Sequence, residues 1–336
     1  MTAPSQRWGL TIPAVGHSLA EQGEIVREAE ELGYTDLWSF ETAGIDGFSP
    51  LVHAACHTTR ARLGTAIVST FTRGPAVLAM SAAGCAQAAP GRFVLGLGAS
   101  TEVIVQGWNG VPYTRPVSQV RETVRRVRVA LDGQRMSLED GARGGFRLEV
   151  APEARVPIYL AALRPGMLRL AGAVADGVII NFLPPSAVPR VLAEVRAGAE
   201  DAARDPDAID VVARHMVCTD AAGPERDAAA RFLLAVYVVS PPYAAFLRWL
   251  GLGELIDPVL RLWQAGDRPG ALAAIGDELV DQLLVVGDAE QARTRLAEYR
   301  AAGVLVPCIA PFSGAAEVSE RRASVRRMAR ELAPGA

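Results

Sequence analysis

The sequence predicts a single (β/α)₈ barrel, and three observations predict it. Short apolar runs alternate with longer amphipathic stretches along the 336-residue chain, as expected of repeated βαβ units on a parallel sheet. About eight such units can be read, the number at which a parallel sheet closes on itself within about 250 residues plus insertions. Half of the residues are apolar, enough for one large core and too many for a disordered chain. An open doubly wound sheet is the competing architecture. Its phosphate loop, Gly-x-Gly-x-x-Gly, is missing from the first strand-to-helix turn, Ile12-Pro13-Ala14-Val15-Gly16.

The elements follow in order. Trp8–Ile12 reads as a strand, and the helix after it, Leu19–Leu32, stops at Gly33. Asp36–Phe40 leads to a helix over Pro50–Thr59, and the β-branched run Arg62–Ser69 to one over Pro75–Ala88. Phe93–Leu97 runs through glycine-rich punctuation into a charged helix, Val117–Leu131. Pro157–Ala161, Gly177–Asn181, Asp210–Val217, Leu283–Val286 and Val304–Ile309 complete the strands. The excess length has two homes: a small hairpin over residues 135–150, and helical stretches over 224–280 whose Trp249 and Trp263 read as core or dimer-contact residues. No linker divides the chain, so one domain spans 1–336.

Composition narrows the function. A net charge of −3 argues against a nucleic-acid surface, and no apolar run reaches the ~20 residues that span a bilayer. Met1–Arg7 lacks the pattern of a signal peptide, which with four scattered cysteines (Cys56, Cys85, Cys218, Cys308) leads us to expect a soluble cytoplasmic protein with reduced, mostly buried thiols. His53 and His57 lie one helical turn apart without a third ligand nearby, so no metal site is expected. All 34 basic residues are arginine; any anion held by a cationic side chain is held by Arg.

Barrel chemistry sits at the carboxyl ends of strands, so unusual residues there are the candidates. The second strand ends Ser39-Phe40-Glu41-Thr42, with Trp38 and Phe40 on one face by alternation. A carboxylate there can accept hydrogen bonds from a heterocycle or act as a base; a solvated loop acid is the bland alternative. The third ends Ala66-Ile67-Val68-Ser69-Thr70-Phe71-Thr72-Arg73, whose hydroxyls suit a polyol chain or phosphate, or merely cap the next helix. The fourth ends Gly98-Ala99-Ser100, where glycine permits close approach of a ligand, and a later loop carries Gln106, Trp108 and Asn109. Trp108 can wall a planar ring or cover a core edge. The fifth runs through Ala161, Ala162 and Arg164 into a helix N-terminus, a natural anion site. Asp176-Gly177 begins the sixth strand and also fits a plain turn.

Taken together, six segments resemble the luciferase-like monooxygenase superfamily in its deazaflavin branch, which includes methylenetetrahydromethanopterin reductases. They are Glu30–Trp38, Arg62–Val68, Gly91–Gly98, Val156–Ala162, Ala175–Gly177, and Leu284–Glu290 followed by Ala301–Val304. The resemblance spans nearly the whole chain. It implies a redox ring in the barrel mouth above Ala66 and Ile67, where the family often has a non-prolyl cis peptide. The phosphate is expected on Gly98–Ser100 or Ala161–Ala162, with Arg164 as its cation. Ser39, Ser69 and Gly177 join the expected cofactor contacts, and Glu41, Thr42 and Trp108 the catalytic set. Many relatives carry Asp-His where this chain has Glu41-Thr42, and close ones Glu and His where it has Gln106 and Asn109. Glu41 is then the best remaining acid or base, with Glu102 behind it. The implied activity is hydride transfer between coenzyme F420 and a small organic substrate, by a homodimer. Two alternatives stand beside it: an FMN monooxygenase that consumes oxygen, and a cofactor-binding barrel without turnover.

Overall fold

Strands with apolar inner and outer faces need a core on both sides, and a closed ring wrapped in helices supplies it. The computed structural model describes residues 6–137 and 144–335. Its strands are β1 (Gly9–Thr11), β2 (Asp36–Ser39), β3 (Arg62–Thr65), β4 (Val68–Ser69), β5 (Phe93–Gly98), β6 (Ile158–Ala161), β7 (Gly177–Asn181), β8 (Asp210–Cys218), β9 (Val285–Val286) and β10 (Val306–Pro311). Parallel pairing runs β1-β2-β3-β5-β6-β7-β8-β10 and back to β1, closing the predicted eight-stranded barrel. The closing register sets Cys308 beside Gly9 on one side and beside Arg214 on the other.

Two expectations are corrected in detail. The third strand is not continuous: β3 stops at Thr65, the chain kinks through a cis Ala66–Ile67 peptide, and β4 resumes against β5. Gly96 makes room for that kink, since a Cβ on it would lie 1.7 Å from the Thr65 carbonyl oxygen. Leu283–Val286 is not a stave of the barrel; only Val285 and Val286 are extended, paired with the end of β8. Its apolar character comes from the burial of Leu283, Leu284 and Val285, and periodicity alone cannot separate that from a barrel strand.

The helices start where local chemistry says they should. Pro75–Ala88 opens on proline after Gly74, and Ala289–Ala301 opens with a capping box between Asp288 and Gln291. Gly33, at φ +96°, turns the chain out of the helix Gln22–Glu31. Met136 and Phe146 exchange backbone hydrogen bonds at the base of the expected hairpin, whose tip, 138–143, lies outside the described residues. Residues 1–5 and 336 also lie outside them. The 224–280 insertion forms helices Pro224–Val238, Pro241–Trp249, Gly253–Gln264, Arg268–Ala273 and Asp277–Leu283. Trp249 and Trp263 there lie under Arg190 and Arg268 and pack on the core edge. Among the described residues no single helix is long and apolar enough to cross a membrane.

Inside the ring, Trp38, Val94, Tyr159, Ile179, Val212, Val306 and Cys308 fill the barrel. Below them, at the amino ends of the strands, Arg7 contacts Asp36 and Asp210, each at 2.5 Å, and Arg62 reaches Asp210 at 3.5 Å. The Tyr159 hydroxyl also donates to Asp210. Burial disfavours the charge on Arg7, but the hydrogen bond and charge of Asp36, with the hydrogen bond to Asp210, outweigh it and raise its pKa.

Candidate active site at the barrel mouth

At the carboxyl ends of the strands the interior cluster is roofed by Ala66, Ile67 and Ala161, which pack on it and stay partly exposed above. The kink after β3 presents Ala66 and Ile67 to the mouth, and β6 presents Ala161 beside them. Gly98 lies between: a Cβ there would sit 2.9 Å from Ile67 and 3.3 Å from Ala161. Small side chains therefore leave a flat apolar floor in reach of a planar ligand.

One edge of this floor is polar backbone. After β5 the chain passes Ala99 to Ser100, which adopts a left-handed conformation at φ +61°, rare for a non-glycine residue and concentrated at functional sites. The Tyr113 hydroxyl donates to the Ser100 carbonyl at 3.3 Å. Burial raises the Tyr113 pKa, and the charge of nearby Arg164 opposes the rise. Arg164 is exposed, caps the helix Pro165–Val174, and has no carboxylate partner among the described residues. Tyr113 is hydrogen-bonded to Ser100 and lies within reach of the Arg164 charge, so Gly98–Ser100 and Arg164 stand on the same side of the mouth.

Other candidates are placed differently. Ser39 is buried and donates to the Gly47 carbonyl at 2.5 Å, while the Ser69 hydroxyl accepts from the Phe71 amide at 3.2 Å. Ala162 is buried, and its N–H is committed to the Ile179 carbonyl at 3.1 Å. Gly177 begins β7 at the opposite end of the barrel from the mouth; a Cβ there would lie 2.8 Å from the Tyr159 ring, so glycine serves packing. Asp176 beside it holds Arg128, Arg155 and the Ile158 amide together. Glu41 stands on the rim. Arg73 grips its carboxylate with two N–H groups, at 2.5 and 3.3 Å, and the Gly47 amide adds a contact at 3.4 Å. The bond to Glu41, opposed by burial, raises the Arg73 pKa. Thr42 is exposed, and Trp108 is 56% exposed at the end of a π-helical turn, Val103–Trp108. Asn109 donates its side-chain amide to the Ile104 carbonyl, which folds this turn on itself.

Sequence reasoning missed the opposite side of the mouth. A cavity of about 280 Å³ opens there, lined among others by Thr11, Phe40, Arg214, Met216, Tyr237 and Phe312. Arg214 lies on β8 at an inward position, two residues beyond the interior residue Val212. Its Nε donates to the Thr11 hydroxyl at 3.2 Å, and its guanidinium lies over the Phe40 ring at 4.5 Å. The insertion closes this side: Tyr237 and Tyr243 pack on Phe182 at 4.1 and 5.7 Å, and Tyr243 exchanges hydrogen bonds with Asn181 at the end of β7. The available signal was the period of two in Val212, Arg214 and Met216, a charge in the middle of an apolar strand face.

The remaining titratable clusters stay apart from the mouth. Burial pushes His215 down to about 3, so its imidazole is neutral where it stacks on Tyr299 at 4.0 Å. His53 and His57 stack at 4.7 Å, and no group of three ligating side chains is found among the described residues. All four cysteines are free; Cys85, Cys218 and Cys308 are buried and Cys56 is exposed.

Comparison with known proteins agrees with this architecture. The family model described as luciferase-like monooxygenase matches residues 2–305. A Mycobacterium tuberculosis protein, provisionally named a coenzyme F420-dependent oxidoreductase, is 29% identical over 92% of this chain and 94% of its own. The 5,10-methylenetetrahydromethanopterin reductase of Methanolobus tindarius is 28% identical over 82% of this chain and 85% of its own. Among solved structures, the coenzyme F420-dependent tetrahydromethanopterin reductase of Methanopyrus kandleri superposes with a TM-score of 0.77 at 20% identity, covering 98% of this chain and 99% of that one.

Proposed function

This chain belongs to the luciferase-like monooxygenase family, and on that premise we propose that it is an oxidoreductase passing a hydride between coenzyme F420 and a small organic substrate. The name of the Mycobacterium tuberculosis relative, which aligns over 92% of the chain, supports the choice of coenzyme. The observation that carries the reading is the mouth itself: a flat apolar floor with an unpaired guanidinium and a left-handed serine along one edge. That combination suits a planar ring with an anionic tail.

In this reading Ala66, Ile67 and Ala161 underlie the ring. The backbone at Gly98, Ala99 and Ser100, with Arg164 and Tyr113, holds the phosphate. When bound, the deazaflavin supplies hydride chemistry at a carbon that does not activate oxygen. Glu41 has its oxygens occupied by Arg73 and Gly47, so its role is to orient the Arg73 side of the rim, with Trp108 as a movable outer wall. Ser39, Ser69 and Ala162 hold the backbone around the floor through hydrogen bonds to Gly47, Phe71 and Ile179. A homodimer belongs to the same reading, supported by Phe232 and Val236, 63% and 54% exposed on one face of the helix Pro224–Val238.

Titration of the protein with coenzyme F420 and with FMN, each oxidised and reduced, tests the proposal. We expect micromolar binding of F420, at least tenfold weaker binding of FMN, and no oxygen consumption. Preference for reduced FMN with oxygen uptake contradicts it in favour of a monooxygenase. Binding of neither leaves a barrel without this function.

A further inference from the structure

The floor and its phosphate edge leave one charged group of the mouth without work. Arg214 projects from β8 toward the cavity of about 280 Å³. Its Nε is used on Thr11 and one face of its guanidinium on Phe40. No carboxylate among the described residues pairs with it, so both terminal nitrogens keep their donors. The other charges lining the cavity are already matched: Glu28 is bonded to Arg326 and Arg330. A half-buried guanidinium with an open two-donor edge costs solvation that the protein itself does not return. The geometry of that edge matches a planar two-oxygen anion.

The remainder of the cavity is apolar, with Phe40, Met216, Leu233, Tyr237 and Phe312 on its walls. Its volume lies at or below the lower limit of about 300 Å³ for small-molecule pockets, so it takes a small body. We infer that the substrate of this enzyme is a small, mainly apolar molecule bearing a carboxylate, and that Arg214 is the specificity-determining residue that binds it. Thr11 and Phe40 fix the guanidinium's plane, and the apolar walls receive the carbon skeleton. This rests on the oxidoreductase reading for the word substrate, while the binding test requires neither coenzyme nor turnover.

Calorimetric titration with benzoate, its neutral isostere benzamide, and inorganic phosphate tests the inference. Wild-type protein is expected to bind benzoate at least about tenfold more tightly than benzamide, the range of a charge-assisted hydrogen bond, and more tightly than phosphate, which has no apolar body. Arg214→Gln should bring the benzoate-to-benzamide ratio to near one, Arg214→Lys should keep part of it, and Arg190→Gln, on the distant Trp249 face, should keep all of it. Equal affinity of the wild type for benzoate and benzamide, or for benzoate and phosphate, overturns the inference whether or not the variants fold. So does an unchanged ratio in Arg214→Gln. Loss of F420 affinity in that variant with the benzoate preference intact assigns the guanidinium to the coenzyme and also overturns it. Failure of F420 to bind the wild type, with the benzoate preference present, removes the coenzyme reading and leaves the anion site standing.

Discussion

At the amino ends of the strands, Arg7 and Arg62 pair their charges with Asp36 and Asp210, and the Tyr159 hydroxyl donates into the same network. At the carboxyl ends the same barrel leaves Arg164 and Arg214 without carboxylate partners among the described residues, above a floor of partly exposed alanine and isoleucine. The lower end is a plug and the upper end is a surface with unmet valence. Both use arginine, the chain's only strong cation, and differ in whether the sequence supplies an acid opposite it. Ligands belong at the end where the barrel holds charge without neutralising it.

Substitutions at the two ends should therefore separate stability from binding. The largest loss of stability is expected from Asp36→Ala, which strands Arg7 at the plug. Breaking such a buried pair costs about 3 kcal/mol, visible as a lower urea midpoint, with F420 affinity within a few-fold of wild type; equal loss of both would blur the distinction. Gly96→Ala belongs to both ends of the comparison. Its Cβ collides with the Thr65 carbonyl, so the kink must shift, with about 2 kcal/mol of overpacking and at least tenfold weaker F420 binding. Binding that survives would detach the kink from the site.

At the rim, Glu41→Gln should lower kcat about tenfold through disordering of Arg73, with coenzyme affinity within a few-fold and stability nearly unchanged. Unaltered kcat would remove Glu41 from the mechanism. The smallest effect at neutral pH concerns His215, whose folded pKa is depressed to about 3 by burial. Above the unfolded value of about 6.5 both states are neutral and pH does nothing. As pH falls from there toward 3 the unfolded chain takes up a proton that the fold refuses, and stability drops by up to roughly 1.4 kcal/mol per unit. His215→Phe, compared with wild type by urea denaturation at pH 7 and pH 5, should lose that part of the acid sensitivity; identical slopes would show that the imidazole is not buried as described.

The barrel was legible because apolar strands and amphipathic helices repeat with distinct periods, and closure follows from counting them. Gly98–Ser100 and Ala161 were legible as small residues at strand ends. Gly177 could have been set aside on the same logic, since it begins its strand and so belongs to the wrong end. The pairing of Glu41 with Arg73 spans 32 residues, and the Ser39 hydroxyl donates to the Gly47 carbonyl; such partners are set by tertiary folding, which no local pattern reveals. Arg214 read as one arginine among many until ring closure turned its side of β8 inward.

The most direct test of the account is a crystal structure of the protein soaked with oxidised coenzyme F420. The expected structure has the ring lying on Ala66, Ile67 and Ala161, its phosphate beside Ser100 and Arg164, and the space next to Arg214 still open. A ring bound in the Arg214 cavity, or a mouth closed over by side chains, would contradict it.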